Sequence, residues 1–142
     1  MVDVNVHWTG DMQFVGESVD TGHSLVMDGD PEHGGRNTGF RPIHLLLVAL
    51  GGCTGMDVIS IMKKKRQEVT GLTINIGGER RVIEDPHVYT RISVEYVFKG
   101  NKLSEGAVER AVKLSEEKYC SVMATLRPLA KIEINWRISE GR

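Results

Sequence analysis

The chain is poor in cysteine: Cys53 and Cys120 are the only two among 142 residues. There is no Cys-x-x-Cys, and His7, His23, His33, His44 and His87 are scattered, so zinc-motif spacing is missing. Neither sign of charge is in excess, at 18 basic against 19 acidic side chains. A broad nucleic-acid footprint or attraction to anionic lipid needs a basic surplus, so neither nucleic acid nor membrane is expected as a partner. The local run Lys63-Lys64-Lys65-Arg66 has no interleaved aromatics and reads as the basic complement of a helix C-terminus. Long apolar runs are lacking too. The longest strictly apolar stretch, Leu45 to Leu50, falls far short of the roughly 18 residues of a spanning helix. Met1-Val2-Asp3-Val4-Asn5 has none of the basic-then-apolar pattern of a secretory signal. The expectation is a soluble, cytoplasmic protein. In that compartment two cysteines are free, catalytic or redox-active rather than a standing staple.

Other binding motifs fail on inspection. Asp28, Asp30 and Glu32 begin like a calcium loop, but His33 stands where glycine is required and Gly39 where the closing glutamate belongs. The glycine-rich stretch has no Gly-Lys-Ser/Thr ending, so it is no phosphate cradle. Neither a metal nor a cofactor is expected.

What is present is alternation and one apolar helix. Val2, Val4, Val6 and Trp8 alternate with polar residues and predict a strand with one buried face. Thr9-Gly10-Asp11 reads as a hairpin turn into a strand at Met12 to Gly16, followed by a third at His23 to Met27. A glycine-rich loop runs to Arg41, and Pro42 opens a helix extending to about Glu68, with Gly71 as its stop. Leu72, Ile74 and Ile76 mark one further strand and Val88 to Phe98 another, with a bulge or bend at Gly77-Gly78. Ser104 is a plausible cap for a second helix. A short helical piece from Cys120 to Leu126 and a strand from Lys131 to Ile138 close the chain. The plan is α+β, βββ-α-ββ-αα-β, a single domain over residues 1–142 large enough for its own core.

The first half of the long helix is apolar almost all round, so it calls for cover on every side. Gly51, Gly52 and Gly55 each cost up to about 1 kcal/mol inside a helix. Either the helix breaks there or something packs on bare backbone. Homodimerisation around this helix is the expected source of the cover.

Cys53 shares a helix face with Leu46, Ala49, Leu50, Met56, Asp57 and Ser60. Such apolar company raises a thiol pKa, so a nucleophilic Cys53 needs a cation from elsewhere, with Arg36 and Arg41 in the loop as candidates. Cys120 begins a short helix, where exposed N–H groups favour a thiolate. Each cysteine alone also fits a buried structural role. As a pair within disulfide reach they form a redox couple: one is oxidised to sulfenic acid and the other condenses with it.

Two segments then carry a family resemblance. Pro42-Ile43-His44-Leu45-Leu46-Leu47-Val48-Ala49-Leu50-Gly51-Gly52-Cys53-Thr54-Gly55-Met56-Asp57-Val58, and the run from Arg110 to Val122 around Cys120, resemble the OsmC/Ohr family and its YhfA-like branch. The resemblance extends over nearly the whole chain, through Gly16-Glu17-Ser18, Gly22-His23, Met27-Asp28-Gly29 and Glu79-Arg80-Arg81. It implies an OsmC-like fold in an intertwined homodimer, with a long buried central helix in each chain. It also implies thiol-dependent reduction of organic hydroperoxides in oxidative-stress defence. Cys53 matches the peroxidatic cysteine and Cys120 the resolving one. An external dithiol or lipoylated protein would act as reductant, without bound metal or flavin. The chain departs from the family's peroxidases at one point. They carry a glutamate just after the proline that opens the helix, and here Ile43 and His44 follow Pro42. That departure leaves a second expectation standing, a catalytically silent dimer that binds a small apolar ligand or protein partner.

Overall fold

Residues 1–139 are described by a computed structural model, and their elements follow the expected βββ-α-ββ-αα-β order. The chain falls into two compact units, Met1–Leu46 and a second beginning at Leu47. In the first, β1 (Val4–Gly10), β2 (Gln13–Ser18) and β3 (Ser24–Met27) form an antiparallel sheet in the order β1-β2-β3. Asp11, at φ 47, turns the first hairpin. The alternation of β1 does not bury a face: Val4, Val6 and Trp8 are 66%, 57% and 66% exposed.

The loop after β3 is organised by Asp28, which is buried. Its carboxylate accepts from the backbone N–H groups of Gly29, Arg36 and Thr38 and from the Thr38 hydroxyl. The Thr38 hydrogen bond is the main reason its pKa is lowered. Asp30 caps a 3-10 turn at Pro31–His33 and pairs with His33. The acidic residues of this loop thus hold backbone rather than converging on a cation.

In the second unit, β4 (Glu68–Arg80), β5 (Tyr89–Asn101) and β6 (Lys131–Ile138) form a sheet in the order β4-β5-β6. β4 and β5 are antiparallel; β5 and β6 are parallel and joined through α2 (Glu105–Leu114) and α3 (Ser121–Leu126). Register lines up apolar rows on one face: Leu72, Phe98 and Ile138, then Ile74, Tyr96 and Trp136, then Ile76, Val94 and Ile134. Ile92, Tyr96 and Phe98 are fully buried there, and each such side chain contributes about 1.5–3 kcal/mol. Gly77 and Gly78 make no bulge, because their pairing with Ser93 and Ile92 is continuous. The glycine at 78 instead lets the Tyr89 ring lie on the strand; a Cβ there would sit 2.4 Å from Tyr89 Cε1.

The long helix, α1, runs over Pro42–Lys64 and is unbroken through its glycines. Within its own chain it is not buried all round, as a central helix was expected to be. Only the stripe Leu50, Thr54, Val58 and Met62, spaced one turn apart, is buried, while Val48 and Met56 are 51% and 77% exposed. Gly51 and Gly55 receive Ile76 and Ile74 of β4, whose Cδ1 atoms would lie 3.0 and 3.2 Å from an added Cβ. Bare backbone is therefore covered in part by the chain itself. Gly52 faces open space.

The helix ends earlier than its sequence suggests. Arg66 takes the left-handed conformation at φ 57, with Arg66 N–H bonded to Lys63 O and Gln67 N–H to Met62 O. That pair of bonds is a Schellman stop, built here without glycine. Gly71 lies inside β4 instead. By length and composition α1 is apolar enough to cross a membrane, although glycines and polar residues interrupt its apolar runs. Its buried stripe and the hydrogen bond between Thr54 and Tyr96 of the sheet are those of a core helix.

Candidate functional site

Cys53 and Asp57 lie one turn apart on α1, on the stripe beside the buried one. Ser115 ends α2, and the chain widens there into a π turn over Ser115–Tyr119, with Cys120 N–H bonded to Ser115 O at 2.9 Å. The turn delivers Cys120 to the start of α3, where its Sγ accepts from Met123 N–H at 3.4 Å. The two sulfurs and a carboxylate oxygen of Asp57 all lie within 4.8 Å of one another. Both cysteines are free; Cys53 is half-buried, and Cys120 is only 3% exposed.

A line of hydroxyls holds the carboxylate. Ser115 Oγ donates to Asp57 Oδ2 at 2.8 Å, Thr54 Oγ1 lies 2.7 Å from Ser115 Oγ, and Tyr96 Oη lies 2.7 Å from Thr54 Oγ1. Each hydroxyl has one proton to give. Since Ser115 spends its proton on Asp57, Thr54 must donate to Ser115 and Tyr96 to Thr54. Burial pushes the Tyr96 phenol up to about 12, which keeps it a donor. Every dipole in the line points at Asp57.

Burial pushes the Cys120 thiol up to about 11. The Met123 N–H pulls the other way, while Cys53 and the Asp57 charge add to the rise. Of the two readings open for Cys120, the buried thiol fits rather than the thiolate at a helix start: one N–H of a six-residue helix does not offset the desolvation of a buried sulfur.

The candidate cations of the loop belong to the first unit. Arg36 pairs with Asp11 at 2.6 Å, and Arg41 Nη1 donates to Gly39 O at 3.4 Å. His44, near the start of α1, is exposed. Among the described residues, Cys53, Asp57 and Cys120 are the only cluster of His, Cys, Asp or Glu donors close enough to share an ion. Three donors are one short of a closed tetrahedral zinc site.

Asp57 was legible as a neighbour of Cys53 from its i+4 spacing. Thr54, Ser115 and Tyr96 were not, because nothing local distinguishes a buried hydroxyl from a surface one.

A family model for OsmC-like protein matches residues 34–135, a span that contains both cysteines and Asp57. This chain belongs to the OsmC-like family. It is 36% identical over 140 residues to Protein YhfA of Escherichia coli K12, covering 96% of this chain and 98% of that protein. A solved structure of a hypothetical protein from Aquifex aeolicus VF5 is 36% identical and superposes with a TM-score of 0.84, covering 98% of this chain and 96% of that one. An organic hydroperoxide resistance protein from Elizabethkingia anophelis superposes at 0.70 with 12% identity, covering 98% and 96%. At that identity the likeness is one of fold, and it assigns the OsmC-like α+β architecture to this chain.

Proposed function

We propose that this protein is a thiol peroxidase that reduces organic hydroperoxides. The observation that carries the reading is the approach of the two sulfurs to within 4.8 Å at unequal depth. The half-buried Cys53 can be reached by a peroxide; the buried Cys120 is shielded from it but adjacent to the product. Family membership supports a redox role, as does the fold shared with the hydroperoxide resistance protein.

In the first step the Cys53 thiolate attacks the peroxide oxygen. The O–O bond breaks, the sulfur takes the terminal OH and becomes sulfenic acid, and the alkoxide leaves as the alcohol with the proton the Cys53 thiol had released to solvent. In the second, Cys120 attacks that sulfur, the S–O bond breaks, and a disulfide and water form. An external dithiol, free or as a lipoyl group on a protein, then exchanges with the disulfide and restores both thiols. None of these steps calls for a metal or flavin.

The same reading includes a cytoplasmic homodimer. The exposed Val48 and Met56, the open Gly52 and a groove of about 770 Å³ between α1 and β4 support it. The rival reading, a silent dimer holding a small apolar ligand, is favoured by that groove and by the raised Cys120 thiol.

The test is turnover of tert-butyl or cumene hydroperoxide with a dithiol as reductant. Loss of turnover in Cys53→Ser is expected, with sulfenic acid still forming in Cys120→Ser. A Cys53→Ser protein as active as its parent would remove the assignment. A monomeric elution profile at micromolar concentration would remove the dimer.

A further inference from the structure

The second step of this chemistry moves a proton that the two cysteines cannot handle alone. Cys120 must lose its proton to attack, and the departing oxygen of the sulfenic acid must gain one to leave as water. Cys120 is 3% exposed, so bulk solvent is a poor acceptor. Among the described residues, Asp57 supplies the only carboxylate, and no histidine supplies a ring nitrogen, within 4.8 Å of both sulfurs. Its place is set twice over: by its position one turn past Cys53 on α1, and by the Ser115 hydrogen bond to Oδ2. Ser115 is itself held by Thr54, and Thr54 by Tyr96.

We propose that Asp57 is the proton carrier of disulfide closure, taking the Cys120 proton as that sulfur attacks and passing it to the oxygen leaving Cys53. This inference rests on the peroxidase reading. The balance is Cys53–SOH plus Cys120–SH giving the disulfide and water. The S–O bond breaks and the S–S bond forms; the Cys53 sulfur is reduced by one and the Cys120 sulfur oxidised by one. Asp57 ends as it began. The oxidant is the organic hydroperoxide of the preceding step.

The separation suits transfer directly after a small approach or through one bridging water. The electrostatics agree: burial and the neighbouring carboxylate both keep Cys120 protonated until the moment of attack. That makes an unassisted thiolate scarce and a base beside it useful.

The experiment separates the two steps. Reduced protein is mixed with tert-butyl hydroperoxide and quenched at intervals. Sulfenic acid is counted as its dimedone adduct and disulfide by intact mass. Asp57→Asn keeps the shape and the oxygen that Ser115 donates to, but cannot take a proton. Closure in Asp57→Asn is expected to slow by roughly 10²-fold, the lower range of general acid–base catalysis. Formation of sulfenic acid should change only a few-fold, and Asp57→Glu should recover part of the closure rate. A merely structural Asp57 would not split the steps in this way. Ser115→Ala, which leaves the carboxylate but frees it, is the second variant and should slow closure by a smaller factor. Closure at the parental rate in both variants, with sulfenic acid still forming, overturns the proposal and leaves the peroxidase intact. A parent that forms no sulfenic acid takes down both.

Discussion

Ser115 donates to the Asp57 carboxylate across 2.8 Å, tying the last turn of α2 to the middle of α1. The two cysteines are attached to either side of this tie, Cys53 one turn before Asp57 and Cys120 five residues after Ser115 at the end of the π turn. The thiol pair is therefore as well placed as the hydroxyl line behind it.

Thr54→Val removes the middle of that line. Valine fills the space but leaves the Tyr96 and Ser115 hydroxyls, both fully buried, each short of a partner. A loss of about 1–3 kcal/mol in urea unfolding is expected. A variant as stable as the parent would show that the line does not support the core.

Cys120 should titrate late. Its thiol is pushed from 9.0 up to about 11, so the folded chain retains a proton that the unfolded chain releases from pH 9 upward. The contribution to stability is complete below about pH 9 and lost progressively towards pH 11. Subtracting the unfolding curve of Cys120→Ser from that of the parent isolates it. Iodoacetamide alkylation of Cys120 should likewise keep accelerating up to about pH 11 rather than levelling near 9.

Arg66→Gly should stabilise the chain. Arg66 sits at φ 57 in the Schellman stop, where glycine bears no Cβ penalty. A gain of about 0.5–1 kcal/mol in denaturant unfolding is expected, roughly half the left-handed cost of a non-glycine residue.

Gly78→Ala and Gly52→Ala should part company. An added Cβ meets the Tyr89 ring at 2.4 Å in the first case and nothing within 4 Å in the second. Gly78→Ala is expected to cost about 1–3 kcal/mol through overpacking. Gly52→Ala should leave the fold at least as stable, because alanine is the better helix former by up to about 1 kcal/mol. If a second copy packs on that face, Gly52→Ala will weaken self-association in gel filtration instead.

Features governed by short-range chemistry were readable in advance. The Ser104 cap accepts from Ala107 N–H through its Oγ, β6 occupies Lys131–Ile138, and Cys120 stands at the head of a short helix. Features governed by distant partners were not. Gly77-Gly78 looked like a bend, because the strand pattern gives no hint that Tyr89 folds over position 78. Gly71 looked like the helix stop, because an arginine in a left-handed turn carries no local signal. The nearness of the sulfurs came from likeness to a family rather than from periodicity. It depends on the crossover from β5 to β6 bringing the end of α2 beside α1. The choice between a thiolate and a buried thiol at Cys120 was open for the same reason, since its burial is a property of the packed unit.

If the two cysteines form the proposed redox couple, their unequal depth gives it a direction. A crosslink between them would turn the Cys53 sulfur outward and leave the Cys120 sulfur behind it. On the peroxidase reading, an incoming reductant thiol would have one sulfur to strike, and the transient mixed disulfide would form on Cys53. Cys120 would leave as the displaced thiol and be reprotonated inside the fold. Oxidant and reductant would thus enter by the same door, in turn, with the inner sulfur never exchanging with the surroundings.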